Sequence, residues 1–245
     1  MTPVTPPPGL LFDGRVRAGG AVCLGPLRMM AAAGRWTCLL GPSGVGKSTL
    51  LHCFAGLAPG MTVEGRAEAT DGVPLAGRVA LMAQSDGLLP WLGVAENVAV
   101  GARLRGQRPD RDRAAALLAR VGLADMEDRR PRTLSGGQRQ RAALARTLYE
   151  DRPVVLLDEP FSALDVARRA RMQELSVREL AGRTVLHVTH DPAEAARLGE
   201  RLLVLTEAGI AEIDTAGAPP IPRAADAGAT LELAGRLTRR LLDAA

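Results

Sequence analysis

Aromatic side chains are nearly missing from this sequence, with three Phe, two Trp and one Tyr among 245 residues, so any core must be aliphatic. Lysine is rarer still. Of the 31 basic residues only Lys47 is lysine, and the others are arginine. Cysteine is confined to Cys23, Cys38 and Cys53, an odd number at wide spacing, which points away from disulfides and a metal site and toward buried thiols in a reducing compartment. No apolar run approaches the roughly 18 residues of a membrane-spanning helix. The opening Met1-Thr2-Pro3-Val4-Thr5-Pro6-Pro7-Pro8 lacks the basic and apolar regions of a secretory signal. The chain is therefore expected in the cytosol, meeting a membrane only through a partner. Net charge is only +4, with acids interleaved among the arginines, so nucleic acid is not an expected partner.

What the sequence does contain is organised around Gly41-Pro42-Ser43-Gly44-Val45-Gly46-Lys47-Ser48-Thr49. The stretch fits G-x-x-x-x-G-K-[ST], the phosphate-binding P-loop, between an apolar strand over 36–40 and the first turns of a helix from 49. Gly41, Gly44 and Gly46 let the backbone curl so that N–H groups point inward at phosphate oxygens, and the helix N-terminus adds positive charge there. Lys47 reaches the β- and γ-phosphates, and Ser48 offers a hydroxyl to Mg²⁺. The single lysine sits where a compact point charge is needed, because a broad guanidinium fork does not fit a closed phosphate nest.

Around this loop, residues 10–40 read as short strands broken by glycines, and 58–77 as turn-rich. A strand is expected over 79–82. From 88 to 150 the composition turns to helix formers, predicting helices over 94–104 and 111–121 and from 135, an insertion into an α/β core. A continuous apolar run at 153–158 and another buried strand at 184–189, each followed by a helical segment, predict a parallel sheet with helices on both sides. A last strand at 201–206 and a terminal helix at 231–242 complete the chain. The expected division is one P-loop domain over 8–206, with the helical subdomain at about 88–150, and an extension over 207–245.

Asp158 and Glu159 end the first apolar run, where ligands bind in open α/β sheets. An Asp there can hold Mg²⁺ through its water shell, and the adjacent Glu can polarise a water in line with the γ-phosphate. Leu134-Ser135-Gly136-Gly137-Gln138 offers a hydroxyl and two glycine N–H groups at a helix start, either a second anion site or a simple N-cap at Ser135.

Taken with the P-loop, these residues resemble the ATP-binding subunit family of ABC transporters, in register over about 10–206. The resemblance implies an α/β P-loop NTPase fold with a parallel-sheet core, an N-terminal antiparallel β part and the helical insertion. It implies ATP and Mg²⁺ as cofactors. Residues 134–138 match the signature LSGGQ, which in the family closes on the ATP held by the P-loop of the other subunit, so Ser135, Gly136, Gly137 and Gln138 are expected at nucleotide together with Gly41, Ser43, Gly44, Gly46, Lys47, Ser48 and Thr49. Gln84 corresponds to the Q-loop glutamine that touches Mg²⁺ and the attacking water. Ser162-Ala163-Leu164-Asp165 looks like the D-loop, placing Asp165 against the opposite subunit, and His190 matches the switch histidine. Catalysis then falls to Glu159, His190 and Gln84, and metal binding to Ser48, Gln84 and Asp158. His52 and His187 are left as structural.

The chain departs from the family at one place. The aromatic that usually stacks on adenine counts back to Ala18, and the nearest aromatics are Phe12 and Trp36. Leu89-Pro90-Trp91 after the Q-loop is similar to importers of nitrate, sulfonates, taurine and the thiamine pyrimidine precursor. That likeness implies a homodimer at the cytoplasmic face of the inner (plasma) membrane, with permease subunits docking near 84–97 and a periplasmic solute-binding protein acting indirectly. Trp91 is read as an exposed docking anchor, with burial in the helical insertion as the alternative. A soluble ABC-type clamp or regulator without transport is the rival functional reading.

Overall fold

The structure is a computed structural model that describes residues 6–162 and 164–243. Residues 1–5, Ala163 of the expected D-loop and the last two residues of the expected extension lie outside the described residues. In chain order the elements are β1 (Leu10–Ala18), β2 (Ala21–Ala31), β3 (Trp36–Leu40), α1 (Lys47–Ala55), β4 (Met61–Ala69) and β5 (Val79–Met82). The helices α2 (Val94–Val98), α3 (Val100–Leu104), α4 (Arg111–Arg120) and α5 (Gly136–Tyr149) follow. Then come β6 (Val154–Asp158), α6 (Val166–Glu179), β7 (Thr184–Thr189), α7 (Pro192–Leu198), β8 (Arg201–Thr206), β9 (Gly209–Ile213) and α8 (Gly228–Leu242).

The larger sheet runs β5-β6-β7-β3-β8-β9, parallel throughout except for the final antiparallel β8–β9 pair. Its central strands β3, β6 and β7 are buried at every position because both faces are covered, and their side chains divide by parity. Cys38, Leu40, Val155, Leu157, Val185, Leu202 and Val204 join the core under the helices. Leu39, Val154, Leu156, Leu186, Val188, Leu203 and Leu205 join the second core, with α1 and the smaller sheet. That smaller sheet is antiparallel, β2-β1-β4. The pairings Leu40↔Thr189 and Asp158↔Val188 bring the carboxyl ends of β3, β6 and β7 level, where the site residues emerge.

Several expectations at the level of elements need correction. The region 10–40 is not a set of short strands: β1 and β2 run for 9 and 11 residues, and Gly14 lies inside β1. The stretch 58–77 is not only turns, because β4 pairs with β1 along its whole length. Gly14 and Gly65 face each other at φ 150° and 131°, and a Cβ at Gly65 would stand 2.1 Å from the Asp13 carbonyl, so the backbones meet too closely for any other residue. The single helix expected over 94–104 is two, with Ala99 at φ −92°, ψ 6° between them. The sheet also continues past 206, since β8 turns directly into β9. Among the thiols only Cys38 is fully buried; Cys23 and Cys53 are half-exposed, and all three are free.

Candidate nucleotide site

The loop after β3 takes the shape its glycines allow. Gly44 and Gly46 have φ of 82° and 103°, in the left-handed region that side chains disfavour. A Cβ at Gly46 would lie 2.7 Å from Leu24 Cδ1, and one at Gly41 would lie 2.4 Å from the Leu205 carbonyl, so Gly41 and Gly46 are also steric necessities. Gly46 is the N-cap of α1, with Lys47, Ser48 and Thr49 forming its first turn. Lys47 is only 5% exposed, and Nζ donates to the Gly41 and Pro42 carbonyls at 2.8 Å each. The ammonium is thereby pinned across the loop mouth. Burial pulls its pKa below the ordinary lysine value, against the opposing pull of the Glu159 and Asp158 charges. Ser43 and Gly44 are exposed on the rim of the loop.

Two strands away, Asp158 ends β6 almost fully buried, and its Oδ1 accepts a 3.0 Å hydrogen bond from Ser48 Oγ. Burial raises the Asp158 pKa, and the neighbouring Glu159 charge adds to it, although the Ser48 bond pulls the other way. A hydroxyl and a desolvated carboxylate in contact are hard oxygen donors of the type Mg²⁺ selects, so this pair fits a divalent cation.

Glu159 has φ 45°, a left-handed backbone unusual for a residue with a side chain, and its N–H is held by the Val188 carbonyl at 3.0 Å. The conformation turns its carboxylate toward two other site residues. Oε2 accepts from Gln84 Nε2 at 3.3 Å and lies 3.0 Å from His190 Nδ1. Glu159, Gln84 and His190, which lie on three different connections in the chain, therefore share one carboxylate oxygen. His190 is half-exposed and Gln84 exposed, open to a ligand between them and the loop.

Ser135 caps α5. Its Oγ accepts from Gln138 N at 3.3 Å, and its own N–H donates to Gln138 Oε1 at 2.7 Å, a complete capping box. Both readings of this motif are thus compatible, since the cap leaves Gly136 and Gly137 N–H groups at the helix start unbonded within the helix. Gly137 is tightly packed, as a Cβ there would meet Leu164 at 3.3 Å. Among the described residues no hydrogen bond joins 134–138 to 41–49, and the signature faces a separate groove of about 480 Å³ with Arg141 and Arg168. Asp165 caps α6, accepting from Arg168 N at 3.0 Å, and among the described residues its carboxylate makes no hydrogen bond to Lys47 or Ser48.

The comparison with known proteins agrees with this geometry. Residues 24–162 match the family model described as ABC transporter. The chain is 50% identical over 179 residues to an aliphatic sulfonates import ATP-binding protein of Rhodococcus jostii (strain RHA1), covering 72% of this chain and 70% of the relative. A protein of the same description from Delftia acidovorans is 44% identical over 224 residues, 91% of this chain and 89% of the relative. A thiamine import ATP-binding protein of Mesorhizobium japonicum (strain LMG 29417 / CECT 9101 / MAFF 303099) is 43% identical over 192 residues, 76% of each.

The chain belongs to the ABC transporter family. It is an ATP-binding, ATP-hydrolysing member of importer type, and the mixed architecture of one antiparallel and one largely parallel sheet is that of an ABC ATPase. Among the described residues no helix is long and apolar enough to cross a membrane.

Within this ABC ATPase, Ala18 closes β1 opposite Ala21, at a hairpin tip formed by Gly19 and Gly20. The nearest aromatics in sequence are unavailable to a base there: Phe12 packs edge-on against Phe54, and Trp36 is buried beside His187. Trp91 is 66% exposed, which decides against its burial in the helical insertion.

Reasoning from sequence missed the residues that brace the site. Arg169 donates to the Leu164 carbonyl and pairs with Asp191, both at 3.1 Å, tying the start of α6 to the residue after His190. Asp191 in turn caps α7 through Ala193 N and Glu194 N. His187, left as structural, is indeed buried, but it is paired with the equally buried Glu194. The linear spacing gave no signal of this: Asp165 and Arg169 lie one helical turn apart, but Asp165 pairs with Arg168 and Arg169 with Asp191.

Proposed function

We propose that this chain is the ATP-hydrolysing, energy-coupling subunit of an ABC importer for a small solute. It works as a homodimer at the cytoplasmic face of the inner membrane, beneath integral permease subunits that receive solute from a periplasmic binding protein. The observation that carries the proposal is the division of the site. The P-loop, Asp158 and the Glu159–Gln84–His190 cluster converge at one end of the sheet, while the signature lies on a different wall of the same chain. A second copy supplies Ser135, Gly136, Gly137, Gln138 and Asp165 to the nucleotide held by the first. The domain over 8–206, with its helical part at 88–150, is the unit that pairs, and 207–245 extends it, adding β9 to the edge of its larger sheet.

In this reading the loop N–H groups and Lys47 hold the β- and γ-phosphates. Ser48 and Asp158, with Gln84, would hold Mg²⁺, which offsets phosphate charge when bound. Glu159 orients a water against the γ-phosphate and draws on its proton. Gln84 and His190, both on Glu159 Oε2, fix the direction of that carboxylate. The names of the relatives support import over export, and the exposed Trp91 supports permease docking over 84–97.

The test is co-expression with an importer permease of the kind that partners the sulfonate-importer relatives, followed by affinity purification through the permease. The wild-type chain is expected to co-purify, and Trp91→Ala to be lost from the complex while keeping its ATPase activity in isolation. Failure of the wild-type chain to associate with the permease would overturn the importer assignment.

A further inference from the structure

The loop from Gln84 to Trp91 is gripped by the helix that begins at the signature. Arg146, on the inner face of α5, spreads its guanidinium over two successive carbonyls: Nη2 donates to Asp86 O at 2.7 Å and Nη1 to Gly87 O at 2.8 Å. Gly87 has φ 55°, and a Cβ there would meet Arg146 Nη2 at 3.3 Å, so the left-handed turn is shaped around this side chain. Two turns nearer the signature, Arg139 pairs with the Asp86 carboxylate, Nε to Oδ2 at 2.9 Å, and holds the Leu134 carbonyl through Nη1. The other Asp86 oxygen accepts from Leu88 N at 3.1 Å. Downstream, the fully buried Asn97 accepts from Leu89 N and donates to the Leu89, Leu92 and Gly93 carbonyls.

We propose that Arg146 and Arg139 are positioning residues for hydrolysis, which fix Asp86 and Gly87 on the signature helix so that Gln84 is held against Glu159. A flexible loop two residues from Gln84 would let its amide wander from the 3.3 Å contact with Glu159 Oε2. A planar fork on consecutive carbonyls suppresses that freedom in a way that a lysine point charge cannot. Because both arginines belong to the helix that starts at Ser135, displacement of the signature moves the same turn that carries Gln84. The burial of Arg146, which lowers its pKa against the raising influence of Asp86 and Glu150, fits a structural fork rather than a solvated surface charge.

The inference rests on Gln84 and Glu159 acting together as proposed above. The test is steady-state MgATP hydrolysis by the full chain carrying Arg146→Met, alone and combined with Gln84→Ala. Arg146→Met alone is expected to lower kcat by about ten- to a hundredfold, the scale of an ångström-level misplacement, with KM for ATP unchanged. In the Gln84→Ala background the same change is expected to cost nothing further, because the residue through which it acts is already gone. Arg139→Lys, which keeps the charge but loses the fork, and Asp86→Asn, which keeps the shape but loses the charge, give a smaller loss with the same non-additivity, and they stand in should Arg146→Met fold poorly. Additive losses, or an unchanged kcat in Arg146→Met, overturn the clamp alone. An unchanged kcat in Gln84→Ala overturns the catalytic reading itself, and the clamp with it.

Discussion

His187 Nε2 and Glu194 Oε1 face each other 2.7 Å apart in the core, directly beneath the loop that carries Glu159. The His187 ring lies between Trp36 and Phe161, and Glu194 is steadied by Gln173 Nε2 at 3.2 Å. Burial pushes the Glu194 pKa up, but the His187, Thr189 and Gln173 hydrogen bonds outweigh it and hold the carboxyl below the ordinary glutamate value. Since the folded group titrates lower than the unfolded one, its stabilisation is fully present above about pH 4.3. It is lost as acid carries the pH down through the folded value. Glu194→Ala leaves His187 Nε2 and Gln173 Nε2 without their buried acceptor, while Gln173 Oε1 keeps its bond from Arg197; this costs about 1–3 kcal/mol, or about 2–4 °C of melting temperature per kcal/mol. Thermal melts at pH 7 and at low pH check this: the variant should melt below wild type at pH 7, and the gap should close in acid. A gap that persists unchanged in acid would mean that the pair contributes by packing alone.

Lys47 is expected to be irreplaceable even by arginine. Its Nζ fits between the Gly41 and Pro42 carbonyls in a nearly closed space, and a guanidinium is too broad for that gap. Both Lys47→Ala and Lys47→Arg should lower ATP turnover by at least about a hundredfold, the scale of losing one preorganised charge-stabilising donor. A phosphate-release assay checks it, and near-normal turnover in the arginine variant would refute the steric argument.

How much of this was legible in the sequence follows from where the information lay. β3, β6 and β7 could be read because burial on both faces makes each mostly apolar, with Thr37 in β3 and Thr184, His187 and Thr189 in β7 breaking the run, and the P-loop and signature because each is contiguous in the chain. β4 was missed although Met61, Val63, Ala67 and Ala69 alternate with Thr62, Glu64, Arg66 and Glu68, because Gly65 at its centre mimics a turn and alanines are weak strand formers. The partners of the site residues were beyond reach for a different reason. Arg146 meets Asp86 across 60 residues and Arg169 meets Asp191 across 22, and only the packing of α5 and α6 against the sheet brings them together. Nothing in a linear spacing announces a fork on two carbonyls.

Glu159→Gln should keep ATP binding and halt hydrolysis, leaving two chains closed on two nucleotides. The amide preserves the size of the side chain and its approach to Gln84 and His190, but it loses the charge that orients water at the chemical step. Size-exclusion chromatography with ATP and Mg²⁺ should show a dimer for the variant and mostly monomer for wild type. A variant that binds nucleotide yet remains monomeric would count against the shared site.

The last expectation concerns the base. β2 leans on the P-loop through Leu24 and the Cys23 carbonyl, both within van der Waals reach of a Cβ at Gly46, so the β1–β2 hairpin tip is anchored to the phosphate site. The tip offers Ala18, Gly19 and Gly20, with no ring to stack. Arg17 beside it donates to the Gly20 carbonyl at 2.6 Å and pairs with Glu64 at 3.1 Å, which commits its guanidinium to bracing the hairpin. Nucleotide affinity must then come mainly from the phosphates, and base selectivity should be slack. Stacking on an aromatic is worth roughly 1–3 kcal/mol per base, about ten- to a hundredfold in Kd. Ala18→Tyr should therefore tighten ATP by that factor and raise the ATP/GTP preference while kcat stays unchanged, whereas Arg17→Ala should leave both affinity and preference near wild type. Titration of the three proteins with ATP and GTP decides between the possibilities. A loss of ATP affinity in Arg17→Ala would show that its guanidinium plane carries the base, and no change in Ala18→Tyr would place the base away from the hairpin altogether.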